Sequence, residues 1–363
     1  MFYCPRGFLT DFENDLYVET FTKELKKYVK EHKGFFFKID PYILKLERDK
    51  EGKIVENGFN NEHIKEKLKK LGYIQKNSKI TDQTLQATWM YSITLENRTY
   101  DDVMKDMDSK TRQMIRKNEK NGVIVREGTK EDIKLFTDIM DHTSERREFL
   151  SRPYSYYINM YEKFIDSNKI SLRIAEIHPK EQAVNLEKEL KQTEEERDKR
   201  EEDFKNGKLN LKQDKFELRQ KEANEKIERL QKSIKEFKDL AKEKGDVVPL
   251  GGIIYMIHGG EVLSLYGGAY HDLMQYQPFY TIHYEMIKYG IENGFKKYNF
   301  YGISGNLVPE DPLYGIYIFK KGFGGQVEEL IGEYDYVIDK AAYKLYDVTY
   351  KIVHKLKKLK AKK

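Results

Sequence analysis

The chain has one cysteine, Cys4, in 363 residues, so it can form no internal disulfide and carries no paired-thiol motif. It has no apolar run near the ~18 residues that a membrane-spanning helix requires. Its opening, MFYCPRGFLTDFEND, lacks the basic start and sustained apolar stretch of an export signal. Together these absences point to a cytoplasmic protein. A Walker phosphate loop, a GxSxG elbow and an HExxH helix are also missing. His258, His271 and His283 follow one another, but their spacing does not set three ligands together, so packing or polar roles are the plain reading and no metal is expected. Cys4 has no histidine partner in any recognisable pattern and reads as a packed residue. Chemistry is left to lysine, arginine, tyrosine and the backbone.

What is present is a chain longer than one hydrophobic core usually serves, which favours two or more structural units. Apolar residues make up 39% and aromatics 13%, with 27 tyrosines, so real cores can form although 35% of residues are charged. The net charge of +5 is modest. The ending HKLKKLKAKK is nearly free of acid and suits phosphate.

Helix-to-strand units recur along the chain. Apolar spacing from Phe12 to His32 predicts a helix, and GFFFKIDP then reads as a buried strand leaving through Pro41. NEHIKEKLKKLGY predicts a helix ending at Gly72, before a strand in ATWMYSITL. DDVMKDMDSKTRQMIRKNEKNGV predicts helical turns to Gly122, then strand GVIVREG and a helix from Lys130 to about Thr143. After Gly245 come PLGGIIYMIHGG and EVLSLYGGAY, a strand pair joined at Gly-Gly. A helix from Gln277 to Asn293, strand KYNFYGI, a short helical or irregular LYGIYIFKKGFG and one strand QVEELIGEYDYVI complete the pattern. Mixed α/β architecture follows.

Between Lys180 and Lys244 proline disappears and Glu, Lys, Gln and Leu dominate. Leu209, Phe216, Ala223, Leu230 and Phe237 recur at every seventh position, and Ile227, Ile234 and Ala241 add the second seam of a coiled coil. Ala183, Leu186 and Leu190 form a weaker seam before the break at Asn206-Gly207. The expectation is an inserted antiparallel helical hairpin with arms of roughly 40 to 50 Å.

KYNFYGISGN, the later FKKGFG, the upstream YGGAYHDLMQYQPFYTIHYEMIKYGIENG and the inserted hairpin together resemble the Fem family of peptidoglycan aminoacyltransferases. The resemblance extends from YCPRGFLTDFEND through KIDP and SKTRQMIRKNEKNGV to GEYDYVIDKAAYKLY, nearly the whole chain. NFYGISGN is closer to the FemA and FemB branch than to FemX. The resemblance implies an α/β (α+β) chain of two N-acetyltransferase-like subdomains with a coiled-coil arm. The expected boundaries are 1–140 for a partial first subdomain, 141–180 with 246–350 for the second, 181–245 for the arm and 351–363 for the basic tail. The implied reaction transfers glycine, alanine or serine from charged tRNA to an amine on a lipid-linked or nucleotide-linked peptidoglycan precursor. No dissociable cofactor is implied. Peripheral contact with the inner membrane surface and association with itself or other Fem-type proteins accompany that role.

Residue by residue, Lys320 in IFKKGFG matches the lysine implicated at the transfer site, with Phe319 and Lys321 beside it. An amine attacking an ester passes through an oxyanion, which a cation and backbone N–H groups stabilise. The plain alternative is that both lysines are solvated surface charges. Asp40, Arg152, Tyr156 and Tyr266 match positions lining the precursor groove. Asp40 alternatively makes a turn before Pro41, and Tyr266 alternatively packs in a strand. Lys110, Arg112, Arg116, Lys117 and Lys120 form a basic helical face that, like the tail, suits RNA or anionic lipid. Family chains usually begin some tens of residues earlier, with strands, a tryptophan and a lysine for the groove. That departure keeps two other functions in view, an inactive scaffold that recruits cell-wall enzymes and a coenzyme A-dependent N-acetyltransferase. The latter lacks a glycine-rich pyrophosphate loop.

Overall fold

The structure, a computed structural model, describes residues 1–76, 84–147 and 149–349. The basic tail at 351–363 lies outside the described residues. The chain divides into two compact units, Met1–Met107 with Lys297–Lys363, and Asp108–Lys296. This division falls at 107/108 and 296/297, where the sequence reading puts its first boundary at 140/141 and keeps the final strands with the second subdomain.

The first unit opens with β1 (Phe2–Cys4), α1 (Asp15–Glu31), β2 (Phe36–Ile39), β3 (Leu44–Leu46), α2 (Glu62–Lys70), β4 (Tyr73–Lys76), β5 (Trp89–Thr94) and α3 (Tyr100–Asp106). The second unit holds α4 (Ser109–Lys120), β6 (Val123–Gly128), α5 (Asp132–Arg147), α6 (Tyr154–Phe164), β7 (Ile170–Ile177), α7 (Pro179–Lys205), α8 (Gln213–Lys244), β8 (Val248–His258), β9 (Glu261–Ala269) and α9 (Pro278–Glu292). The chain then re-enters the first unit with β10 (Lys297–Gly302), α10 (Tyr314–Lys321), β11 (Gln326–Leu330) and β12 (Glu333–Val337).

In the first unit, α1 starts where the Asn14 side chain accepts from the Tyr17 N–H and turns Val18, Thr22 and Val29 inward. Val18 and Val29 meet Phe37 and Ile39 of β2, Leu68 of α2 and Tyr334 of β12 in one core, and the Thr22 hydroxyl shares a hydrogen bond with that of Tyr73 at 3.0 Å. Burying a valine or leucine of this kind contributes roughly 1.5–3 kcal/mol. The surrounding sheet has the order β1-β2-β12-β4, with β1 and β2 parallel and β12 antiparallel to both neighbours. A second run pairs β3-β11-β5-β10, all antiparallel.

QVEELIGEYDYVI is therefore two strands and not one. Gly332, at φ 97°, turns the chain between β11 and β12, which join different sheets. That backbone region is open to glycine at little cost, and apolar alternation alone does not reveal the break.

In the second unit β9-β8-β7-β6 form an antiparallel run. Ile133, Phe136 and Met140 of α5 and Tyr157 of α6 pack on Leu172, Ile174 and Ile254 beneath it. The inserted segment forms two helices that pack antiparallel, with Glu187 paired to Lys238 and the Phe204 ring stacked on Phe216. Ile227, Leu230, Ile234, Phe237 and Ala241 are buried and Phe216 and Ala223 half-buried, as their spacing requires. Leu209 falls in the connection before α8. Among the described residues no helix is long and apolar enough to cross a membrane.

Candidate functional site

The adjacent lysines of FKKGFG have opposite surroundings. Lys321 pairs with Glu51 and lies over the Tyr317 ring. Lys320 points inward, is only 9% exposed, and donates from Nζ to the Gly302 carbonyl at 2.6 Å and the Tyr301 carbonyl at 3.3 Å. Among the described residues no carboxylate pairs with it, and burial pushes its pKa down to about 7. Phe319, half-buried, packs edge-on against Phe323.

Two successive carbonyls of a regular strand point to opposite edges and cannot both meet one amine. Here the β10 register against β5 shifts between Asn299 and Gly302, and Tyr301 adopts φ 65°. The bulge and this left-handed residue turn both carbonyls toward Lys320. Such a conformation costs a tyrosine of order 1–3 kcal/mol. It is held by the Asn299 side chain, which accepts from the Tyr301 N–H at 2.7 Å, and by the Tyr301 hydroxyl, which donates to Gln86 at 2.7 Å.

Asp40, at the end of β2, is 3% exposed. Its Oδ1 accepts from the Arg6 backbone N–H at 2.6 Å, and its Oδ2 accepts from the Tyr3 hydroxyl at 3.0 Å. Burial raises its pKa above the usual carboxylate range, against the lowering effect of Arg6 and Tyr3. The carboxylate thus does more than cap a turn before Pro41. The Arg6 guanidinium continues to the Ala87 carbonyl at 2.8 Å, and a Cβ at Gly302 would begin 3.1 Å from Ala87. Asp40, Arg6, Ala87, Gly302 and Lys320 are therefore successive members of one wall within the first unit.

Aromatic rings with cations over them extend this wall. Arg6 lies 5.6 Å from the Tyr42 ring centre and Arg48 lies 4.8 Å from that of Trp89. Gly305 abuts Trp89 so closely that a Cβ would fall 2.5 Å from the indole nitrogen. Tyr3, Arg6, Tyr42, Trp89 and Tyr301 are absent from the sequence-based site. Tyr301 has a signal in the density of tyrosine and glycine around 298–306, and the other four, far from that stretch in sequence, have none.

Arg152, Tyr156 and Tyr266 come together in the second unit. The Tyr156 and Tyr266 hydroxyls are 3.0 Å apart, and the exposed Arg152 guanidinium lies 5.2 Å from the Tyr156 ring centre. Burial, followed by the Tyr156 hydrogen bond, raises the Tyr266 pKa. Buried Tyr157 backs both rings edge-on. Arg152 stacks on an aromatic face and among the described residues pairs with no carboxylate, which suits it to a carboxylate or phosphate. His258, His271 and His283 sit on different elements, and among the described residues no group of three His, Cys, Asp or Glu can hold a metal ion.

Comparison with known proteins accords with these motifs. The model of the FemAB family matches residues 1–351. Aminoacyltransferase FemA of Staphylococcus epidermidis (strain RP62A) is 30% identical over 358 residues, covering 98% of this chain and 84% of that protein. Aminoacyltransferase FemA of Staphylococcus aureus (bovine strain RF122) is 30% identical over 361 residues, 97% of this chain and 82% of that one. The crystal structure of FemX superposes with a TM-score of 0.79 at 25% identity, covering 94% of this chain and 82% of that chain. With a family match along almost its entire length, the chain belongs to the FemAB family.

Proposed function

We propose that this protein is an aminoacyltransferase of cell-wall synthesis that moves glycine, alanine or serine from a charged tRNA to an amine on a peptidoglycan precursor or growing interpeptide bridge. The observation that carries the mechanism is the buried Lys320 amine on the Tyr301 and Gly302 carbonyls, with no carboxylate partner among the described residues. The neutral acceptor amine attacks the ester carbonyl, a C–N bond forms, and charge collects on the carbonyl oxygen. Lys320 donates to that oxygen, and the growing negative charge favours the ammonium that burial disfavours. Collapse breaks the C–O bond to the tRNA ribose, and the proton released by the amine ends on the departing hydroxyl. The ester is already activated, so the reaction needs neither a protein nucleophile nor a dissociable cofactor.

Asp40 already accepts at both oxygens, which favours an anchoring role for it over that of a general base. Arg152, Tyr156 and Tyr266 offer an arginine for phosphate or carboxylate and two hydroxyls for sugar or peptide, as a lipid-linked or nucleotide-linked precursor requires. A cytoplasmic position at the inner membrane face fits a lipid-linked acceptor.

A mass-spectrometric assay with purified protein, a panel of charged tRNAs and the precursor tests this reading. The expected result is a gain of one amino-acid residue with one donor, lost in Lys320→Ala. No gain with any donor, beside a working control enzyme, overturns it.

A further inference from the structure

We propose that the outward face of α4 is a docking surface for the phosphodiester backbone of an RNA. The inference rests on the charged-tRNA reading above and names the surface that would hold that donor. Among the twelve residues of α4, Lys110, Arg112, Arg116, Lys117 and Lys120 are cationic and only Glu119 is acidic. The buried side is Thr111, Ile115 and Asn118. At ~100° per residue, Lys110, Lys117, Gln113, Lys120 and Arg116 fall in one sector of about 120°, and Lys110 and Lys120 stand about 15 Å apart along the axis. All five are exposed, and Glu119 lies outside the sector.

Among the described residues, ion pairs within the protein do not neutralise the charge of this face. Elsewhere in the same unit Lys130, Lys180, Lys238 and Lys244 pair with Glu162, Asp246, Glu187 and Asp272. Among the described residues Lys110, Arg116, Lys117 and Lys120 have no such partner. Helix stability does not account for the row either. Lys117 and Lys120 suit the negative end of the helix dipole, but Lys110 stands in the first turn, which contains no acid and where a cation is unfavourable by ~0.3–1 kcal/mol. An external polyanion reverses that cost.

The face also discriminates between anionic partners. A helix that lies on a bilayer inserts large apolar residues, and α4 exposes none. A row of cations around an exposed amide matches instead a strand of phosphates with ribose hydroxyls between them.

The test uses full-length protein and the charge-reversal pairs Lys110→Glu with Lys117→Glu, and Arg116→Glu with Lys120→Glu. Affinity for transcribed tRNA is measured by fluorescence anisotropy across salt concentrations. Each pair is expected to weaken binding at least ~10-fold and to flatten the slope of log affinity against log salt by about 0.7–0.9 for each phosphate no longer neutralised. The KM for charged tRNA rises by the same factor while kcat at saturation is retained. Thermal melting guards against misfolding, since these side chains are exposed and Lys110→Glu improves the first turn. Unchanged affinity and KM in variants of an active enzyme overturn the inference and leave the function standing. Loss of binding to phosphatidylglycerol vesicles with tRNA binding intact also overturns it, in favour of a membrane surface. If the wild type transfers nothing from any charged tRNA, the functional reading fails, and the anisotropy series still decides the surface.

Discussion

Arg6 holds Asp40 from two sides, with its backbone N–H 2.6 Å from Oδ1 and its guanidinium 3.9 Å from Oδ2. The same guanidinium reaches the Ala87 carbonyl, next to the glycine whose own carbonyl seats Lys320. Arg6→Met should leave a buried carboxylate without its cation and a carbonyl without its donor, at about 1–3 kcal/mol for each orphaned group. Asp40→Asn keeps an acceptor for the Arg6 N–H and removes the charge that burial penalises. The expected order of stability loss in urea at pH 7 is Asp40→Ala above Asp40→Asn, and the reverse order would contradict the assigned bonds.

Removing the Lys320 amine should lower kcat by about 10²–10³, the usual cost of an oxyanion donor, with little change in KM. Its pKa is lowered to about 7, so the donating ammonium of the free enzyme is lost as pH rises through that value. In wild type, kcat/KM should carry a limb falling above about pH 7, against the rising limb set by the acceptor amine. Residual activity in Lys320→Met should lack the falling limb, and a limb that survives would assign it to another group.

The same shift has a consequence for stability. Between about pH 7 and the ordinary lysine value of 10.5 the unfolded chain holds a proton that the folded protein does not, so wild-type stability rises with pH across that window. Lys320→Met lacks this dependence. Its stability relative to wild type should be greatest below pH 7 and decline by several kcal/mol, of order 1.4 per pH unit, toward pH 10. Paired denaturation curves at pH 6 and pH 10 measure the difference, and a constant gap would show that the amine is not desolvated.

In the second unit, Arg152→Ala should raise KM for the precursor roughly tenfold with kcat nearly unchanged, because a stacked guanidinium serves binding. Arg152→Lys should recover little, since an ammonium lacks the planar fork. Tyr156→Phe and Tyr266→Phe each remove one end of a single hydrogen bond. The double variant should therefore cost less than the sum of the two, and strict additivity in KM would deny that coupling.

Gly305→Ala places a methyl 2.5 Å from the Trp89 indole nitrogen. The ring must move, and Arg48 over it loses its seat. A destabilisation of about 1–3 kcal/mol with a shifted tryptophan emission is expected. Trp89 is the protein's single tryptophan, so the fluorescence reports this one site.

Much of the candidate site was legible because motifs travel as short strings. FKKGFG supplied the candidate Lys320, and of the other candidates Arg152, Tyr156 and Tyr266 do come together. The string KK could not say which lysine is buried. That depends on Glu51, far away in sequence, taking Lys321, and on a bulge in β10 that turns two carbonyls toward Lys320. Arg6 was missed for a similar reason, since its partners Asp40 and Ala87 are 34 and 81 residues away.

Local periodicity by itself determined α1, α2, α5, α9, the strand pair at Gly259-Gly260 and the inserted helical hairpin, because spacing at 3.6, 2 and 7 residues is written between near neighbours, whereas α6 and β7 were not read from it. Tertiary structure decided that QVEELIGEYDYVI divides between two sheets, that 297 onward rejoins the first unit, and that a lysine with no carboxylate partner among the described residues is buried against two backbone carbonyls. Each of these outcomes rests on packing between segments far apart in the chain. The burial that pushes Lys320 toward neutrality exists only when those segments have met.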